Sequence, residues 1–211
     1  MAMNSLPMII ALLIALPLSA CSLSDGPIEG RVLEEGTDKP IPGAIVIVRW
    51  IGRTTSGSMF VEARDVCYHV ETAETDENGG YQIKAWSQEQ HKDYTVTFDQ
   101  MAVDAYKPGY GFSSAVPRND EDMYLDPFKG TGPERLIYLK RMFGATGCDA
   151  QNESRKNMLP FLNALYAEAK AYRGDKKPVP NEMSFTESIL YDIEIIELGF
   201  EEAEKRHLQR P

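Results

Sequence analysis

Lys39-Pro40-Ile41-Pro42-Gly43-Ala44-Ile45-Val46-Ile47-Val48-Arg49-Trp50 is the stretch that decides the fold. Pro40 and Pro42 restrict the backbone on entry, Gly43 permits a tight approach, and the apolar run from Ala44 to Trp50 then reads as a strand. A second stretch answers it: Thr75-Asp76-Glu77-Asn78-Gly79-Gly80-Tyr81. There Asp76 and Asn78 form side-chain turns and Gly79 supplies a positive φ, so the chain reverses and re-enters a strand at Tyr81.

Working outward, short apolar runs bounded by Gly, Pro, Asn and Asp recur from Pro27 to about Arg141. They predict strands at Ile28–Leu33, Ala44–Trp50, Met59–Thr72, Tyr81–Trp86, Tyr94–Tyr106 and Arg135–Arg141, a series that suggests an antiparallel sandwich. After Cys148 the period lengthens. Met158, Phe161, Leu162, Leu165, Tyr166, Ala169 and Tyr172 share one helix face that stops at Gly174, with Pro160 in the first turn or at a kink. A linker from Asp175 to Asn181 carries Pro178 and Pro180. Ser184 and Glu187 then have capping-box spacing ahead of a second helix striped by Ile189, Ile193, Ile196, Phe200 and Ala203. His207 falls at its end beside Lys205 and Arg206, where the helix dipole favours cations. The expected fold is mainly β, a sandwich over residues 27–141, followed by a helical hairpin within residues 142–211.

The quoted segments, with Gly30-Arg31-Val32 before them and Lys107-Pro108-Gly109-Tyr110 after them, resemble the carboxypeptidase regulatory-like domain, a transthyretin-like sandwich. That resemblance implies a scaffold or binding role, because in metallocarboxypeptidases the domain accompanies the catalytic one without supplying zinc ligands. Gly52 to Thr72 is longer than the family's usual connection and is expected to add a long hairpin.

Residues 6–20 are almost all apolar, and no Lys, Arg, Asp or Glu precedes Asp25. The stretch is shorter than the roughly 20 apolar residues of a membrane span and fits the apolar core of a signal peptide over residues 1–20. Leu18-Ser19-Ala20-Cys21 resembles the lipobox of bacterial lipoproteins. The resemblance implies cleavage before Cys21, a diacylglycerol on its thiol, residues 21–26 as a tether, and a membrane held through that lipid. Ser22 behind the cysteine implies, by enteric sorting, a lean towards the periplasmic face of the outer membrane.

Bulk properties suit such a location. Cleavage leaves about 190 residues, enough for one domain with a real core or a domain plus an appendage. A net charge of −10 argues against nucleic acid or anionic lipid as a partner. Of three cysteines, lipidation of Cys21 leaves Cys67 and Cys148. Outside the cytoplasm they are expected to pair, closing a long loop worth roughly 4 kcal/mol; two separate buried thiols are the alternative.

The chemistry-bearing motifs are absent: there is no His-Glu-x-x-His, no phosphate loop ending in Gly-Lys and no Gly-x-Ser-x-Gly. No catalytic residue, metal or cofactor is therefore assigned, and the chain is expected not to be an enzyme. His69 and His91 are the only candidates for a small envelope hydrolase or a metal pair, against a reading of His69 as a partly exposed strand residue. Glu74, Asp76 and Asn78 fit a calcium loop poorly, since Gly80, Tyr81 and Ser87 occupy its later ligand positions. Asn119-Asp120-Glu121-Asp122 reads as a solvated acidic loop. Tyr106, Tyr110, Phe112 and Tyr124 are the candidate binding rim for a glycan or an envelope protein, or else they close the end of the core. The leading reading is a lipid-anchored, non-enzymatic envelope protein. A component of an envelope-spanning secretion assembly is its more specific form, by fold-level analogy alone.

Overall fold

A computed structural model describes residues 22–55, 63–89, 95–111, 113–115, 122–148, 153–173 and 184–210. Residues 1–20, expected to be a signal peptide, Cys21, Met59, His91, Phe112, Asn119–Glu121 and the linker with Pro178 and Pro180 lie outside them. Nine strands come first: β1 (Ser22–Asp25), β2 (Ile28–Glu34), β3 (Ile45–Thr55), β4 (Asp65–Glu74), β5 (Gly80–Ile83), β6 (Trp86–Glu89), β7 (Thr95–Tyr106), β8 (Ser113–Ala115) and β9 (Met123–Leu125). Helices α1 (Gly132–Thr146), α2 (Leu159–Arg173), α3 (Phe185–Leu198) and α4 (Phe200–Gln209) follow, with a 3-10 turn at Glu153–Met158 before α2.

β3 is the central strand of a sheet ordered β4-β3-β7-β8. Both of its faces are covered, which is why its sequence is a continuous apolar run and not an alternation. Val46, Val48 and Trp50 face a core shared with two smaller sheets, β5-β2-β9 and β1-β6. Ile47 faces the opposite way, into a second core with Val70 and Tyr106 against the helices. Arg49 interrupts the run, and its charge is met by buried Asp104 of β7 at 2.7 Å. The pairings within these sheets are antiparallel except β2 with β9, which run parallel. The architecture is thus a mainly antiparallel β-sandwich with helices at its C-terminal end.

Three sequence motifs meet at one edge of the sandwich. Thr75 donates its hydroxyl to the Ile41 carbonyl at 2.6 Å and accepts from the Ala44 N–H at 2.8 Å. Lys107 donates to the carbonyls of Pro42 and Gly43 at 2.7 and 3.1 Å. In the turn, one Asp76 oxygen accepts from the N–H groups of Asn78 and Gly80, both at 2.8 Å. Gly79 has φ +73°, and a Cβ there would lie 2.5 Å from the Val32 carbonyl oxygen. Only glycine satisfies both the conformation and the approach.

Five expectations need correction, the first being the single strand over Tyr81–Trp86, which is two strands, β5 and β6, in different sheets. Arg135–Arg141 is not a strand but the middle of α1. Thr131 and Glu134 form a capping box with Pro133 behind it, and Arg135, Leu139, Met142 and Thr146 are buried at helical spacing. The helical region accordingly starts at Gly132, and the sandwich ends with β9 at Leu125. Residues 22–25 are not a tether but strand β1, paired along its length with β6 from Ser22↔Glu89 to Asp25↔Trp86. The long second helix is two, broken at Gly199, whose φ of +89° turns the chain between α3 and α4.

Two other helix features match. Pro160 sits in the first turn of α2, and the Ser184 hydroxyl accepts from the Glu187 N–H while Glu187 accepts from the Ser184 N–H. Cys67 and Cys148 form a disulfide, Cα–Cα 5.2 Å, that ties β4 to the end of α1 across 81 residues. Closing such a loop removes unfolded-state entropy worth about 4 kcal/mol. The 3-10 turn seals the adjoining sheet edge: Val70 N–H donates to the Ser154 hydroxyl, Asn157 donates to the Val70 carbonyl, and Thr72 donates to the Asn157 carbonyl. An edge covered in this way is closed to further strand pairing.

Candidate functional site

Of the four aromatic residues, Phe112 lies outside the described residues, and Tyr106 does not share an exposed rim with Tyr110 and Tyr124. Tyr106, at the end of β7, points into the helical core and is 1 % exposed. Its hydroxyl donates to Glu168 of α2 at 2.6 Å. Burial, and then Glu168, push its ionisation far above the ordinary phenol range. Tyr110 is partly exposed and donates to Glu34 at 3.1 Å; desolvation, and then Glu34, raise its pKa as well. Tyr124 is exposed on β9. Tyr106 therefore closes the core, in line with the alternative kept open for it, and leaves the binding rim without its first member.

Tyr106 belongs to a buried knot. Arg135 is 0 % exposed, and two of its guanidinium nitrogens donate to the two Glu168 oxygens, each at 2.9 Å. A third donates to the Tyr110 carbonyl, and the rings of Phe128 and Tyr138 lie 4.9 and 5.3 Å from the guanidinium carbon. Glu168 also accepts from the Gly109 N–H at 3.0 Å. With four donors on one carboxylate, no lone pair is left for acid–base chemistry. The knot's work is mechanical: it holds α1 and α2 to the β7 end of the sandwich.

His69 is equally engaged. It is 6 % exposed, stacked on Trp86 at 3.7 Å between ring centroids and 12° between planes, with Trp50 edge-on at 5.4 Å. Gln88 donates its amide to the Tyr68 carbonyl, which turns its oxygen towards His69 Nδ1 at 2.9 Å. Nε2 lies 3.0 Å from Glu71. Both nitrogens are therefore occupied, and the histidine is buried, not partly exposed. The same cluster clamps β1, because Trp50 donates its indole N–H to Asp25 at 2.6 Å.

Of the acidic motifs, Asp76 is used in its own turn, and Asp122 forms a bidentate pair with Arg31 at 2.6 and 3.0 Å. Among the described residues no group of three or more His, Cys, Asp or Glu is placed to hold a metal.

The open surface lies elsewhere, on α1. Ile137 is 56 % exposed and stands as a ridge between two clefts. One, about 240 Å³, runs between α1 and the first turn of α3, lined by Leu136, Ile137, Lys140, Ser184, Phe185 and Thr186. The other, about 380 Å³, is lined by Phe128, Gly130, Glu134, Ile137, Tyr138 and Arg141. Exposed Lys140 and Arg141, which line the two clefts, give this face a local positive charge on a chain of net −10. Glu134, its acidic residue, is turned back onto the Thr131 N–H and hydroxyl, and those bonds lower its pKa. Reading Arg135–Arg141 as a strand hid this surface; the Thr131–Glu134 spacing was the signal that would have revealed it.

No family model matches the chain, and no curated protein matches it. Among solved structures, a double mutant of the shaft pilin SpaA from Lactobacillus rhamnosus GG aligns at 12 % identity, TM-score 0.26, covering 50 % of this chain and 47 % of that one. A 9R-lipoxygenase from Cyanothece aligns at 12 % identity, TM-score 0.24, covering 72 % of this chain and 25 % of that one. The chain spans less than half the length of either.

Proposed function

We propose that this is a lipid-anchored protein of a bacterial cell envelope, held to the membrane through Cys21, with the α1 face as a docking surface and no catalytic role. Ser22, the residue behind Cys21, carries the further proposal that the membrane is the outer one. The observation that carries the reading is the position of β1. Pairing with β6 starts at Ser22, directly after the lipobox cysteine, and Asp25 is fastened to Trp50. A lipid on Cys21 would thus be joined to a strand built into the sandwich, and would hold the domain close against the bilayer. The Cys67–Cys148 disulfide supports an oxidising compartment. Among the described residues no helix is long and apolar enough to cross a membrane. The saturated hydrogen bonding of Glu168 and His69 favours binding over hydrolysis. The test is to replace Cys21 by Ser and fractionate the cells. The proposal expects the variant to leave the membrane fraction; retention there contradicts it.

A further inference from the structure

Helix α3 separates two surfaces of opposite character. At its N-terminal end Ser184–Thr186 line the smaller α1 cleft, beside the Ile137 ridge and the basic residues Lys140 and Arg141. At its C-terminal end the Gly199 elbow exposes Leu198 (39 %) and Phe200 (59 %). Glu197, Glu201, Glu202 and Glu204 flank the pair in sequence; Glu202 is paired with Lys205 and Arg206 at 3.8 and 3.4 Å, so Glu197, Glu201 and Glu204 give this end its negative charge. One surface is apolar with a positive rim, the other apolar with a negative rim.

One copy does not satisfy itself. The 14 residues of α3 span about 21 Å, so the elbow stands a helix length away from the cleft that the same helix helps to line. We propose that the elbow of one molecule docks on the α1 face of a second copy, Phe200 entering the cleft beside Ile137 while Glu197 and Glu201 meet Lys140 and Arg141. This rests on reading the α1 clefts as a docking face, and not on the lipid at Cys21. The contact is head to tail: the copy that gives its elbow keeps a free cleft and the copy that gives its cleft keeps a free elbow, so contacts propagate into a ring or a chain, and a ladder from the double variant separates this from a reciprocal two-fold dimer. Charge complementarity fixes the register, and the apolar pair supplies the burial.

The experiment uses the full chain expressed in its native envelope, with Ile137→Cys and Phe200→Cys introduced on separate copies and a short bismaleimide crosslinker. The wild type controls for Cys21, Cys67 and Cys148, and Phe98→Cys, an exposed site on β7, controls for random collision. The proposal expects a covalent dimer from co-expressed I137C and F200C, none above the Phe98→Cys level from either variant alone, and a ladder from the double variant. Loss of the ladder when Lys140 and Arg141 are changed to Glu would show that the charges steer the contact. Crosslinking of I137C to itself, absence of the mixed dimer, or capture of a different protein at Ile137 each overturns self-association. The last of these leaves the docking reading of α1 standing, and absence of every adduct at Ile137 counts against both.

Discussion

Arg135 and Glu168 face each other inside the protein with both guanidinium–carboxylate bonds at 2.9 Å and almost no exposed surface on either side chain. They join α1 to α2, and Tyr106 and Gly109 complete the carboxylate's partners from the sandwich. Removing one member of such a pair strands a buried charge, which costs about 3–5 kcal/mol, whereas replacing both with apolar residues is often nearly neutral. Glu168→Ala is therefore expected to lose about that much in urea denaturation. The double variant Arg135→Met/Glu168→Leu removes the stranded charge and is expected to recover part of it, since the Tyr106 hydroxyl and the Gly109 N–H still lose their acceptor.

Thr75 tests the junction of the fold-deciding motifs. Thr75→Val keeps the shape but leaves the Ala44 N–H without its acceptor in a buried position. The expected cost is about 1–3 kcal/mol, read as a lowered denaturation midpoint with unchanged slope. Thr37→Val, on an exposed loop, is the control and is expected to cost much less.

Reduction tests the disulfide. A loop of 81 residues closed between Cys67 and Cys148 implies about 4 kcal/mol in the unfolded-state entropy account. Cys67→Ala/Cys148→Ala is expected to melt well below the oxidised wild type. Adding reductant is expected to lower the wild-type melting temperature while leaving the double variant's unchanged.

Alkali tests the buried phenols. Burial, and then the charge of Asp25, push the Tyr68 pKa up to about 12, and burial raises Tyr81 and Tyr106 too. A raised pKa in the folded state means that folding favours the neutral phenol. The associated stability is full below the unfolded pKa near 10 and is lost as pH rises towards 12. Phenolate absorbance is expected to appear in two waves, exposed tyrosines first and buried ones together with loss of near-ultraviolet dichroism. Smooth ionisation of all tyrosines near pH 10 would show that these rings are not buried.

Much of the sandwich was legible because turn residues bracket each strand: Pro42-Gly43 before β3, Asp76 to Gly79 before β5. The disulfide was legible from counting cysteines, and the start of α3 from Ser184 and Glu187. Other features depend on long-range partners. Leu136, Ile137 and Leu139 fit a strand period as well as a helical one, and the Thr131 cap decides between them. Ser22–Asp25 is short and polar, and becomes a strand only because β6 comes to lie beside it. Which way Tyr106 points depends on the helical layer that covers it, and the α1 cleft exists only where α3 packs near α1. Spacing within one segment carries none of this.

The account turns on Cys21, and the N-terminal peptide of the protein isolated from membranes tests it most directly by mass spectrometry. The expected peptide begins at Cys21 and carries the added mass of a diacylglycerol on its thiol. A peptide spanning Ala20 and Cys21, or a mature terminus at Cys21 with an unmodified thiol, would contradict the account.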